Sequence, residues 1–266
     1  MAFCAIVLAL SAAGCGGGSA TPTQPLLTDP NEIVSRSISQ LATETSVHLD
    51  GTINGTVDAG YVSGLMGFGS GGLSGNIKLN NASLTGDVDM SGQAAHVSAT
   101  FPTLFGLSAE VIVVDGYAYS RFGSSTGKYT KSRFSTSALV SSAAPNATLD
   151  VVGALNRLKA MLGTSGVTAT LSGRDKIGGR DSYHVTLNVP AELLNQALAV
   201  GGAAASGVTL DLAPIDCWVY VDSLQPARLY LKVSSSRLGN LDLDVTLTRY
   251  GQPVTIGAPP ATQIEG

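Results

Sequence analysis

The chain has 266 residues, of which 44% are hydrophobic, 13% charged and 6% aromatic, and its net charge is −4. The charged share is about half that of an ordinary soluble domain, so Ser, Thr, Asn and Gly must supply much of the surface polarity. No basic block is present, which argues against a nucleic-acid partner, because a phosphate backbone calls for clustered Lys and Arg.

Met1 to Leu10 is almost purely apolar, closes in Ser11-Ala12-Ala13-Gly14-Cys15 and gives way to a Gly/Ser/Thr/Pro stretch ending at Pro25. That order predicts an export signal over 1–14 cut at small residues, with lipid attached to Cys15 and a flexible tether over 15–28. The mature protein is then expected on the extracytoplasmic face of the cell membrane, held by its N-terminal lipid anchor. Two features depart from the bacterial lipobox pattern. No Lys or Arg precedes Arg36, and Ala12 rather than Leu stands three residues before the cysteine. A secretory peptide with an incidental cysteine, or an uncleaved anchor, is the alternative, although the run is shorter than the about 20 residues of a membrane-spanning helix. With Cys4 in the signal and Cys15 acylated, Cys217 keeps a free thiol and no intramolecular disulfide is expected.

One domain is predicted over 29–252. Asp29-Pro30-Asn31-Glu32 marks a helix start, and Ile33, Val34, Ile38, Leu41 and Ala42 follow on one helical face. Clean alternation then sets Val47, Leu49, Ile53 and Val57 against His48, Asp50, Thr52, Asn54 and Thr56, the period of a half-buried strand. Shorter strands are expected at 77–79, 84–90, 94–100, 111–114 with 116–119, and 128–132. A second helix near 148–162 carries Leu149, Val152, Leu155, Leu158, Met161 and Leu162 as its apolar stripe, with Gly163 to end it. Strands at 167–172 and 182–189 flank a turn through Ile177-Gly178-Gly179-Arg180. A short helix at 191–200 and strands at 216–222, 227–233 and 241–249 complete the pattern. The tail 253–266 reads as loose.

Motifs for chemistry are scarce. Gly67-Phe68-Gly69-Ser70-Gly71-Gly72 spells G-x-G-x-x-G, but turn and strand follow it where a dinucleotide site needs a helix. No G-x-S-x-G elbow occurs. His48, His96 and His184 lie far apart on alternating strands and read as solvated, and Cys217 reads as a small buried side chain. Asp87 with Asp89, and Asp242 with Asp244, read as solvated edge charges. No Cys/His spacing suits zinc, and no metal or cofactor is expected.

Several runs, in order, carry a family likeness: Val114-Asp115-Gly116-Tyr117-Ala118-Tyr119, Gly178-Gly179-Arg180-Asp181-Ser182-Tyr183-His184-Val185, Trp218-Val219-Tyr220-Val221-Asp222 and Leu247-Thr248-Arg249-Tyr250-Gly251-Gln252-Pro253-Val254. With the lipid-ready Cys15, they resemble the LppX/LprAFG family of mycobacterial-type lipoproteins, apart from a Gly-rich insertion at 60–75. The resemblance implies an α+β fold: a strongly curved antiparallel half-barrel, helices packed on its concave face around an apolar cavity. It implies a carrier of acylated lipid or glycolipid, with no cofactor and no reaction, which hands cargo to a membrane or an envelope lipid transporter.

The residues can serve that role directly, since each buried CH₂ of an acyl chain gains about 0.8 kcal/mol. Expected wall positions are Val47, Leu49, Ile53, Val57, Val111, Val113, Leu155, Leu158, Met161 and Leu162. The expected mouth is Leu65, Met66 and Phe68 opposite Leu104, Phe105 and Leu107. The same pattern also suits a filled α+β core, which would make the chain a structural or assembly lipoprotein docking a protein partner. An envelope hydrolase is a third reading.

Overall fold

The computed structural model describes residues 26–60, 75–104, 106–123, 127–133, 151–163, 166–190, 211–235 and 239–265. Helix α1 (Pro30–Thr43) starts where the sequence indicates. The Asp29 carboxylate accepts from the Asn31 amide, Pro30 fills the first turn, and Glu32 reaches forward to Arg36. Ile33, Val34 and Ile38 are buried along its apolar stripe. A second helix, α2 (Val151–Met161), lies against it.

The strands are β1 (Ser46–Asp58), β2 (Asn76–Asp89), β3 (Ala94–Phe101), β4 (Leu107–Val114), β5 (Tyr117–Gly123), β6 (Thr130–Arg133), β7 (Thr168–Ile177), β8 (Arg180–Asn188), β9 (Asp211–Leu212), β10 (Ile215–Tyr220), β11 (Pro226–Ser235) and β12 (Gly239–Thr248). They form one open antiparallel sheet in the order β6-β5-β4-β3-β2-β1-β12-β11-β10-β8-β7, with the short β9 paired to β11. The order is two meanders joined where β1 meets β12.

Two differences from the sequence reading have clear causes. The segments 77–79 and 84–90 form one strand, β2. Asn81 sits in a left-handed conformation (φ 51°), and its amide donates to Asn54 Oδ1 across a bulge between the pairs Ile53–Ala82 and Gly55–Leu79. The extra residue flips the alternation, so Ile77 and Leu79 share a face with Ala82, Leu84, Gly86 and Val88. The second concerns 111–119, where β4 and β5 form a hairpin about Asp115-Gly116, both with positive φ, as two-residue hairpin turns require.

Glycine allows neighbouring strands to approach closely at two inner-face positions. A Cβ at Gly51 would lie 2.5 Å from Asp244 O, and one at Gly86 would lie 2.8 Å from His96 O.

The tail corrects the expectation of looseness. Gly251 N donates to Ser46 O, and Ser46 Oγ donates to Gln252 O. Further on, Tyr129 N donates to Gln263 O and Glu265 N donates to Tyr129 O. Between these anchors Ile256 packs, as does Ile264, on Ala94, Ile112, Val114, Tyr119 and Tyr129. Short apolar residues in a Pro-rich tail give no periodic signal, so their docking on a distant strand was not legible. The tail is a strap across one face of the sheet.

Candidate functional site: the charge-free face of the sheet

Register assigns the faces. Rows such as Val47–Val88–Ala95–Val113–Ala118 and Leu247–Leu49–Gly86–Val97–Val111–Ser120 run straight across neighbouring strands. Along β1 to β5 and β11 to β12, every position of this inner face is apolar, Gly or Ser; none carries a charge. The opposite, outer face carries the charges and the strap.

Among the described residues, the helices cover only part of the inner face. α1 packs over β7, β8, β10 and β11. Beneath it Tyr183, Val185, Leu187, Cys217 and Val219 form a core with Ile33, Val34 and Ile38, and Leu155 and Leu158 of α2, with Leu162 just after it, pack against that core. Val151 and Val152 reach a neighbouring cluster of Val47, Met90 and Leu247, which Leu49, Val88 and Leu41 join. Ile53 and Val57 belong to a third cluster with Leu79 and Leu104, joined by Ile77, Phe101, Leu107 and Leu241.

The expected wall residues thus separate. Val47 and Leu49 lie under helices, Ile53 and Val57 lie at the far end of β1, and Leu155, Leu158 and Leu162 face the core below α2. Met161 is half-buried. Val113 is buried, whereas Val111, two residues earlier on the same face, is 41% exposed. Leu104 and Leu107 pack beside Ile53 and Val57. Leu65, Met66, Phe68 and Phe105 lie outside the described residues, as do Cys15, the G-x-G-x-x-G run and the expected helix at 191–200.

What the structure adds is the inner face of β2 to β5: Leu84 and Gly86, Val97 and Ala99, Ala109 and Val111, Ser120 and Phe122. Phe122 is 36% exposed and meets Phe101 with ring centroids 6.4 Å apart. Sequence reasoning missed most of these positions. Alternation of Ala and Ser with Thr and Ser gives little hydrophobic contrast, though period-two small residues were a usable signal.

Many charges of the outer face are paired. His48 is buried between Asp87 (Nδ1 to Oδ1, 2.6 Å) and Asp50 (Nε2 to Oδ2, 3.1 Å), not solvated. Burial alone would raise the Glu110 carboxyl, but hydrogen bonds with Tyr129, Arg121 and His96 hold it below the ordinary glutamate value. His184 stacks on Trp218 at 4.4 Å, Arg228 covers that ring, and Trp218 Nε1 donates to Asp175. The aspartates read as edge charges sit on interior strands, with Asp244 paired to Arg228 and Asp89 bonded to Ser91 and Gly92. Burial, then the Asp216 charge, pushes the Cys217 thiol up to about 12, so it is no nucleophile. Among the described residues no group of His, Cys, Asp and Glu suits a metal ion. Among them, too, no helix is long and apolar enough to cross a membrane.

Among the described residues, an open antiparallel sheet with two helices on one largely apolar face defines a β-rich domain. A family model described as LppX_LprAFG lipoprotein matches residues 29–256, and the chain belongs to that family. Among solved structures it is similar to LprF from Mycobacterium bovis, with 21% identity over 86% of this chain and 96% of that one and a TM-score of 0.48. It is also similar to the lipoprotein LppX from Mycobacterium tuberculosis, with 17% identity over 86% and 100% and a TM-score of 0.49. A LolA superfamily protein from Nitrosomonas europaea matches at 9% identity over 90% and 99%, with a TM-score of 0.30. No curated protein matches significantly.

Proposed function

We propose that this lipoprotein is a lipid carrier that holds acyl chains of a lipid or glycolipid against the inner face of β2 to β5. One observation carries the reading: a charge-free sheet face of small residues on which Val111 and Phe122 remain 41% and 36% exposed. Apolar surface of this kind, away from the described helices, marks a place where something binds. Alkyl chains suit it because they need contact area and no polar partner. A sixteen-carbon chain gains on the order of 10 kcal/mol before ordering costs. Membership in a lipoprotein family supports the same reading.

In this reading the helix-bearing face is the concave side of the curved sheet, and space between sheet and helices receives the cargo. The mouth proposed for it is the one expected from the sequence, Leu65, Met66 and Phe68 opposite Leu104, Phe105 and Leu107. Cys15 carries the lipid that tethers the domain to the extracytoplasmic face of the membrane, and an envelope transporter receives the cargo. No catalytic step is assigned.

Native mass spectrometry after gentle extraction is expected to show co-purified lipid, and the delipidated protein to take up a fluorescent acyl probe. Val111→Trp fills the open face without touching the covered core. It should cut uptake at least about tenfold (1.4 kcal/mol) while leaving the unfolding transition in place. Uptake unchanged in Val111→Trp, or protein repeatedly free of lipid, contradicts the proposal. Crosslinks to a protein instead of lipid would favour an assembly role. Labelling with an alkyne fatty acid, lost in Cys15→Ser, tests the anchor.

A further inference from the structure

The outer face holds a second, different opening. A cleft of about 260 Å³ lies between the sheet and the strap. His48, Asp87 and His96, consecutive in one cross-strand row, line it on the sheet side. Their side chains are held in place, His48 by Asp87 and Asp50, and His96 by a 2.7 Å contact from Nε2 to Glu110 Oε1. Asp87 Oδ2 and His96 Nδ1 make no hydrogen bond among the described residues. Arg249 and Gln252 line it where the strap begins, and Pro253, Val254 and Ile256 make an apolar wall. Among the described residues the strap makes no backbone hydrogen bond to the sheet between its two anchors.

We propose that this cleft binds one ring of a neutral polyhydroxylated ligand, a hexose or cyclitol unit. Such a ring is amphipathic, with an apolar C–H face for the strap wall and a rim of hydroxyls, each both donor and acceptor. The groups without partners among the described residues match that rim: a carboxylate oxygen and an imidazole nitrogen on the floor, with a guanidinium and an amide beside them. An anion would meet Asp87, with Asp50 and Glu110 close behind. A bare metal ion finds no ligand set among the described residues. An alkyl chain would strip water from a charged floor with nothing in return. The volume lies just under the usual range for small-ligand pockets, about 300–1,000 Å³, and so suits one ring better than an oligosaccharide.

This site is independent of the acyl-chain reading, because it lies on the other face of the sheet. The sugar's source is a free glycan or a glycolipid headgroup, and the test separates them. The full mature chain is titrated by NMR with methyl glucoside, methyl mannoside and myo-inositol, then with a short-chain alkyl glucoside below its micelle concentration. The observed signals are the His48 and His96 ring C–H groups and the amides of 254–256.

At least one polyol is expected to give saturable shifts at these positions. Arg249→Ala, at an exposed residue, should weaken binding at least about tenfold, and Asp87→Asn should do the same. Acyl-probe uptake should stay unchanged in both variants. Equal binding of methyl and alkyl glucoside assigns a free glycan, and tighter binding of the alkyl form assigns a headgroup. No saturable shift, shifts with inorganic phosphate but not with polyols, or shifts that survive both substitutions overturn the proposal.

Discussion

Over β7, β8 and β10 the inner face presents Tyr183, Val185, Leu187, Cys217 and Val219, none more than 7% exposed beneath α1. Over β3 to β5 the same face presents Ala95, Val97, Ala99, Ala109, Val111, Ala118 and Ser120, and Val111 is 41% exposed. The second half carries no charge on this face, and the first confines Arg174, Lys176 and Asp181 to its β7–β8 hairpin end. The first half uses bulk and a helix to close on itself, and the second uses small residues and keeps Val111 exposed. Hydrophobic patterning alone therefore does not tell a core from a binding surface; side-chain volume and what covers it do.

The sharpest break of that comparison is a matched pair. Val185→Ala removes two methyls from a fully buried site and should cost about 2–3 kcal/mol. Val97→Ala, on the open half, should cost less than about 1 kcal/mol in lipid-free protein, read by denaturant unfolding. Equal costs would mean that the open half is packed like the other.

Strand approach comes next. Gly86→Val places a side chain against His96 O and Val97. It should destabilise by about 1–3 kcal/mol and reduce acyl uptake, checked by unfolding and probe binding together. Unaltered stability would show that the close approach of β2 and β3 does not need glycine.

A smaller effect belongs to the outer face behind the open half. The Glu110 carboxyl is held below its ordinary value, so its contribution is fully present above the unfolded glutamate pKa and is lost as pH falls through the lower native one. Glu110→Gln should cost about 1–2 kcal/mol at pH 7 and nearly nothing near pH 2. A pH-independent penalty would point to packing instead of charge.

The smallest effect lies in the covered half. Cys217, buried and raised to about 12, should stay unlabelled by a thiol reagent in native protein and react once unfolded. Rapid native labelling would show that the helices lift readily from β10.

Much of the covered half was legible. The Asp29-Pro30 start, the Ile33/Val34/Ile38 stripe and the Val47/Leu49 alternation are local patterns, and local patterns survive folding. The open half was less so. Asn80-Asn81 read as a break because a bulge and a turn use the same residue types, and only the cross-strand bond from Asn81 to Asn54 separates them. His48 read as solvated because its carboxylate Asp87 lies 39 positions away. The strap read as loose because its partners, Ile112 and Tyr129, lie far back in the chain. Long-range pairing decides each of these, and spacing along a sequence does not encode it.

The central claim is that acyl chains lie on β2 to β5. The most direct measurement is photocrosslinking with a diazirine fatty acid, followed by peptide mapping. The account predicts adducts at 84–88, 95–101, 107–113 and 118–122, suppressed by Val111→Trp. Adducts confined to the outer face, to α1, or to no position above background would contradict it.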